Sequence, residues 1–321
     1  MLSYLVRRLA YGAVTVLGVL LFLFLLFFLV TTPEDIARRA LGDKAQPAAL
    51  AQWIASHGYD KPLFWNAAAP TDTLLVDHFR RMLTFDFGRS DADDVPITRR
   101  LREGAGPSLA LTVPMFLLEI PLAVALALLV ALLRETYVDR LGVVLCVLAM
   151  SVSILLYIIG GQFLIGKLLR WFPISGFDPN PAVILRFLAL PVLVGIVSGL
   201  GEGIRFYRTV FIEETGRDHV RTARAKGAGD ARVMTVHVLR NALIPILTQV
   251  VLVIPFLFTG SMLLESFFGI PGLGALTVDA IHGNDFATLR TMVYIGSLLF
   301  ILGQVLTDLS YVLVDPRVRL E

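Results

Sequence analysis

The stretch 9–30 runs for 22 residues without a charge. At about 1.5 Å per residue, a helix of that length reaches roughly 33 Å, enough to cross a hydrocarbon core of roughly 30 Å. Lipid offers no partner to a backbone N–H or C=O, so such a run must satisfy them internally and is committed to helix. Five further apolar stretches follow at 108–133, 141–165, 183–204, 242–264 and 291–314. The expectation is an all-α integral membrane fold with six spans. A cleaved secretory signal is the competing reading of the first run, because Arg7 and Arg8 precede it. Signal cores are only about 7–15 residues long, however, and no A-x-A site follows. Composition agrees with a bilayer as solvent. The chain is 56% hydrophobic and 17% charged, against roughly 45–50% and about 25% for soluble proteins.

Orientation is read from Lys and Arg in the short connecting segments. With a cytoplasmic N-terminus, the inner segments collect Arg7, Arg8, Arg134, Arg140, then Arg205 and Arg208, the basic residues of 217–240, and Arg317 and Arg319 in the tail. Both termini are therefore expected inside. Three units follow: 1–30 as the inner end and first span, 31–107 as a small extracytoplasmic subdomain, and 108–321 as the remaining helical core. The segment 31–107 carries ten Lys/Arg against eleven acids, but long loops translocate largely regardless of charge. Within it, 47–56 and 74–83 read as short helices. Trp53, Phe64, Trp65, Phe79, Phe85 and Phe87 call for burial, which argues against a loose linker.

Most apparent chemistry dissolves on inspection. Gly161 to Leu168 fits the GxxxxGK phosphate loop, yet Leu168 occupies the Ser/Thr position and a span precedes it where a strand is required. The lone Cys146 and five scattered histidines offer no metal-ligand spacing. No catalytic residue and no metal site is expected, and no cofactor in this chain. No nucleic-acid partner is expected; membrane lipid is.

The stretch that demands explanation is RDHVRTARAKGAGDARVMTVHVLRNALIP, 217–245, a long basic helix-former placed between two apolar runs. Arg224 and Lys226 would sit in the last turn of a first helix, opposing the negative end of its dipole, and Gly227 would supply a left-handed cap. Asp230 would cap a second helix running through Val233, Val236, His237 and Arg240 toward Ala242. A solvated basic loop near anionic lipid accounts for the charge. It does not account for paired caps in mid-segment.

DHVRTARAKG followed by HVLRNALIP resembles the inner-membrane permeases of dipeptide, oligopeptide and nickel ATP-binding-cassette importers, in particular the first of their two permease subunits. Those proteins carry DYVRTARAKG and then H-x-L-R-N-A-L-x-P; His219 in place of Tyr is this chain's own. In the broader EAA–Gly–I-x-L-P register, Arg221, Thr222, Ala223 and Gly227 take the first places and His237, Leu239 and Arg240 the last. YDKPLFW at 59–65, DFGRS at 86–90, WFPISGF at 171–177, FFGIPGLG at 267–274 and DLSYVLVDPRVR at 308–319 follow in family order. Ser153 stands where the family commonly has a proline.

The resemblance implies the type I importer permease fold, with this chain forming half of a pathway beside a second homologous permease. It also implies two ATPase subunits beneath, which bind ATP and Mg, and an extracytoplasmic substrate-binding protein above. Arg221, Thr222, Ala223, Lys226, Gly227, Gly229, Asp230, His237, Leu239 and Arg240 are the expected ATPase-coupling residues. Peptide uptake is the first expectation, with nickel complexes, opines or sugars as alternatives, and the location is a bacterial inner membrane. Pro271, Gly272 and Gly274 are expected to make a rigid extracytoplasmic turn.

Glu119 is the one acid deep in an expected span, where a charge costs at least roughly 2.5–3.5 kcal/mol unless it faces a partner or water. It is read as a contact in the translocation pathway, as a hydrogen-bonded structural acid near Pro114 and Pro121, or as the mark of a helix register shifted toward the interface. Glu202 and Arg205 are expected to pair. Two rival functions remain open: a secondary transporter, which would want midplane ion sites and inverted repeats, and a membrane receptor or scaffold with a docking helix.

Overall fold

A computed structural model describes residues 2–42, 44–66 and 69–314; the expected inner charges Arg317 and Arg319 lie outside them. Helix α1, Leu2–Phe24, continues in wider π turns over Leu25–Val30. The segment beyond it holds α2 (Pro33–Leu41), α3 (Pro47–His57) and α4 (Leu74–Leu83). Helix α2 was not expected. Its start is a capping box in which Thr32 and Asp35 each accept from the other's backbone N–H, with Pro33 in the first turn.

Helix α5, Ile97–Leu132, begins well before the apolar stretch and passes unbroken through the 107/108 boundary. Then come α6 (Tyr137–Ser151) and α7 (Ile154–Gly161, extended by π turns over Gln162–Leu168), which meet at 90°. The expected third span is thus broken at Val152 and Ser153, and the Ser153 hydroxyl accepts from Leu155 N–H to start the second half. The bend does not need the family's proline. Helix α8, Ile184–Thr215, continues eleven residues past the expected end at 204. Beyond it lie α9 (Asp218–Ala225), α10 (Asp230–Arg232, running through π turns over Val233–Val238) and α11 (Leu239–Thr259). The chain ends in α12 (Met262–Phe268), α13 (Leu273–His282) and α14 (Phe286–Val314).

Five described helices are long and apolar enough to cross a membrane, and the two bent pairs α6–α7 and α12–α13 raise the number to seven if each counts as a span. The expected six lies between these counts. Helix α8 lies against α5 and α6, α11 against α14 and α5, and α1 against α14. A row of glycines sets the α5–α8 contact. Gly195, Gly199 and Gly203 of α8 face Met115, Glu119 and Ala123 of α5, and a β-carbon at either of the first two would overlap the facing side chain. Such small-xxx-small spacing lets helix backbones approach closely where apolar burial alone gives no advantage over lipid. The matched fourfold steps on both helices also show that α5 and α8 run in the same sense.

The C-terminal half of α1 makes a second core with α4 and α14, built on Leu20, Phe24, Phe27, Met82, Phe87 and Tyr294. Polar bonds stitch the loop after α4 to the start of α14. Ser90 Oγ donates to Asp285 (2.6 Å), Asp91 N–H to Asp285 (3.1 Å), and Ala287 N–H to Asp91 (2.8 Å). Of the aromatics expected to be buried, only Phe87 is; Phe64, Trp65 and Phe85 are exposed, and Trp53 and Phe79 half-buried. A membrane subunit has lipid and neighbouring chains as well as its own core in which to place such rings, so the rule from soluble domains overreached.

Candidate functional site

The basic segment folds into a hairpin at one end of α8. Asp218 lies in the first turn of α9 and Arg224 in the last, each suited to the dipole end it occupies. Val220 and Ala223, three apart, turn inward and are buried with Tyr207 and Phe211 of α8 and with Val233, Met234 and Val238 beyond the turn. The helix stops in a Schellman arrangement. Gly227 N–H donates to the Arg224 carbonyl at 2.9 Å and Ala228 N–H to that of Ala223 at 3.1 Å, with Gly227 at φ +83°. The left-handed cap read from the sequence is therefore Gly227. Gly229 is different, with an ordinary φ of −66° and open space where a β-carbon would go.

Asp230 does not cap the second helix; Gly229 holds that position and Asp230 is the first residue inside. Its carboxylate reaches back across the turn to Arg224 at 3.3 Å. From Asp230 the helix continues without a break through α10, the π turns and α11 to Thr259, 30 residues in all. His219, the departure from the family's tyrosine, lies 3.4 Å from Glu214 of α8 and 3.0 Å from the Asn241 amide of α11, so it ties three helices together.

The structure gathers Arg221, Thr222, Lys226, Gly227, Gly229 and Asp230 on the exposed outside of this hairpin, while Ala223 faces the core. His237 and Leu239 are half-buried and Arg240 exposed, and all three lie seven or more residues up the rod from Asp230, roughly 10 Å along its axis. The tips and the rod are thus parts of one object and not one surface. Met234, Glu214 and Asn241, which help fasten the hairpin, were missed; Met234 escaped because the π turns shift the helical period on which a face is read.

A second constellation lies where α11 ends. Glu265 is wholly buried, and its carboxylate accepts from Ser108 Oγ (2.8 Å), Ala275 N–H (2.9 Å) and Ser261 N–H (3.2 Å). Ser108 Oγ in turn accepts from Leu273 N–H at 2.7 Å. A β-carbon at Gly260, Gly272 or Gly274 would run into this carboxylate. FFGIPGLG is therefore the tight turn expected, bent by 82° between α12 and α13, with Gly272 and Gly274 buried and Pro271 exposed. Its rigidity comes from Glu265, which the sequence reading passed over because one acid just outside an apolar run looks like a surface residue.

Glu119 lies half-buried over Gly199, with no hydrogen bond or ion pair among the described residues. Glu202 and Arg205 are exposed and form no ion pair among the described residues; the C-terminal end of α8 is held instead by Arg208, 2.6–2.8 Å from Asp139 of α6.

Residues 120–320 match the family described as binding-protein-dependent transport system inner membrane component, and residues 1–82 its N-terminal region. The chain belongs to that family. A protein named as a peptide transport system permease of Brucella abortus (strain 2308) is 31% identical over 323 residues, 99% of each chain. Glutathione transport system permease proteins of Pectobacterium atrosepticum and Salmonella typhimurium are 33% and 32% identical, again over 99% of each chain. This permease is a multi-pass membrane component of an ATP-binding-cassette importer. ATP hydrolysis belongs to partner ATPase subunits, and a further permease and a substrate-binding protein complete such systems.

Proposed function

We propose that this permease carries short peptides or glutathione-like solutes across a bacterial inner membrane, as half of a pathway whose other half is a second, homologous permease. Two ATPase subunits bind ATP and Mg below it and one of them receives the α9 hairpin; both termini lie on that side, and the binding protein delivers solute from the side of the 31–107 subdomain. The observation that carries the reading is the hairpin itself. Its inner face is locked into the core, its outer face presents Arg221, Thr222, Arg224 and Lys226 to solvent, and it is continuous with a 30-residue helix. A short helix seated in a groove moves as a unit, whereas a loop would absorb the displacement. The full-length names of the relatives supply the solute class.

Gly227→Val tests it. The left-handed φ of +83° is one a β-branched residue rarely adopts, so in vesicles with the partner subunits the variant is expected to hydrolyse ATP while losing at least about tenfold in uptake, the loss of roughly 1.4 kcal/mol of coupling. Uptake at the wild-type rate would refute the hairpin as the coupling element.

A further inference from the structure

Beside the C-terminal half of α1, the 31–107 subdomain and the start of α14 enclose a cavity of about 720 Å³, within the range of about 300–1,000 Å³ typical of small-molecule sites. It lies apart from the hairpin and from the α5–α8 contact. Phe28, Leu74, Met82 and Phe87 give it an apolar lining, and Arg290 forms part of its wall.

Arg290 is only 6% exposed. Its guanidinium lies 4.6 Å from the centre of the Phe28 ring and donates one hydrogen bond, to Tyr59 Oη at 2.9 Å. Tyr59 donates in turn to Asp91 at 3.1 Å; Asp91 lies near enough to feel the Arg290 charge, but no direct ion pair joins Arg290 to it or to any other acid among the described residues. Arg290 Nε has no hydrogen-bond partner at all. An arginine cannot shed its charge, carries five N–H donors in a fixed fork, and when buried is ordinarily met by a carboxylate or phosphate that takes two of them. Here the charge has been carried out of water and most of the fork left without a hydrogen bond.

We propose that the cavity is a binding site for a small zwitterionic carboxylate with an apolar side chain, of amino-acid or dipeptide size, whose carboxylate completes the Arg290 fork. The rim explains why the ligand is a monoanion with a cationic end and not a phosphate. Asp77 is engaged by Lys61 and Arg81 and Asp94 by Arg89, but the exposed carboxylate of Asp86 has no partner among the described residues. With Asp77 and Asp94 compensated by Arg81 and Arg89, the rim offers a dianion no positive charge beyond Arg290, whereas an ammonium group finds Asp86 waiting for it. The apolar lining takes the side chain between the two poles.

The test uses the full-length chain assembled with its partner subunits in nanodiscs, without binding protein, and titrates Ala-Leu, its C-terminal amide, its N-acetyl form and inorganic phosphate. Ala-Leu is expected to bind saturably and the amide at least about tenfold more weakly, the loss of a charge-assisted bond worth roughly 1.5–3 kcal/mol; acetylation is expected to weaken binding less. Arg290→Gln removes the fork. Ala55→Trp fills the exposed mouth with Arg290 left in place, and is expected to weaken Ala-Leu binding at least about tenfold while basal ATPase activity stays unchanged. No saturable binding of Ala-Leu, equal affinity for acid and amide, phosphate binding tighter than Ala-Leu, or undiminished affinity in Ala55→Trp would each overturn the proposal.

Discussion

At the scale of single residues, His78 is the group most exposed to acid. It is buried against α1, its ring nitrogen Nε2 is 3.1 Å from the Leu20 carbonyl, and burial and then the Arg290 charge push its pKa down to about 4. A histidine held below its ordinary value of about 6.5 gains protons more readily when unfolded, so its contribution is complete above about pH 6.5 and is lost as pH falls toward 4. The amount is roughly 3 kcal/mol. Hydrogen exchange in α4 is expected to accelerate sharply between pH 6.5 and 4.5, and His78→Gln, which still donates to Leu20, is expected to flatten that slope. Glu265 is the second such residue. Glu265→Ala strands the donors of Ser108, Ser261 and Ala275 and is expected to cost about 3–5 kcal/mol, seen as a fall in the thermal midpoint of the purified permease. Of these two, neither was legible. A histidine and a glutamate in isolation carry no periodicity, and what makes them matter is chain that lies 58 residues away from one and 157 from the other.

Among the elements, caps written in adjacent residues were readable and contacts made at a distance were not. Gly227 was legible as a stop because a left-handed turn leaves a mark in composition, and Leu74–Leu83 because its apolar residues recur at helical spacing. The Thr32 box was equally present in the text and overlooked. The bend between α6 and α7 was not legible, since Val152 and Ser153 have no Gly or Pro to announce it. The continuity of α10 with α11 agrees with the second helix read as running from Asp230 toward Ala242. That continuity makes a prediction of its own. Met234 is 3% exposed in the core that seats α9, so Met234→Ala is expected to cost about 2–5 kcal/mol locally and to lower uptake per ATP hydrolysed without abolishing ATP hydrolysis; vesicle assays reporting both rates would check it.

Across the whole molecule, the apolar runs were sufficient to find the spanning helices and to name the fold class, because lipid leaves the backbone so few choices. Their number and their mutual arrangement were not, because the partners of a helix depend on small residues such as the 195–199–203 row and not on the sum of its hydropathy. The first and last helices illustrate the point. Arg8 and Asp308 meet at 2.8 and 3.1 Å near one end of α1 and α14, while Phe27 packs at a tilt against Phe286 and Arg290 lies over the Phe28 ring near the other. Between 259 and 300 residues separate these partners along the chain. The segment that leaves the membrane earliest during synthesis therefore waits for the final helix before its own walls are finished. A ribosome stalled anywhere before residue 286 is expected to hold the 31–107 segment open along one flank, readily cut by protease and without the arginine on which its cavity closes.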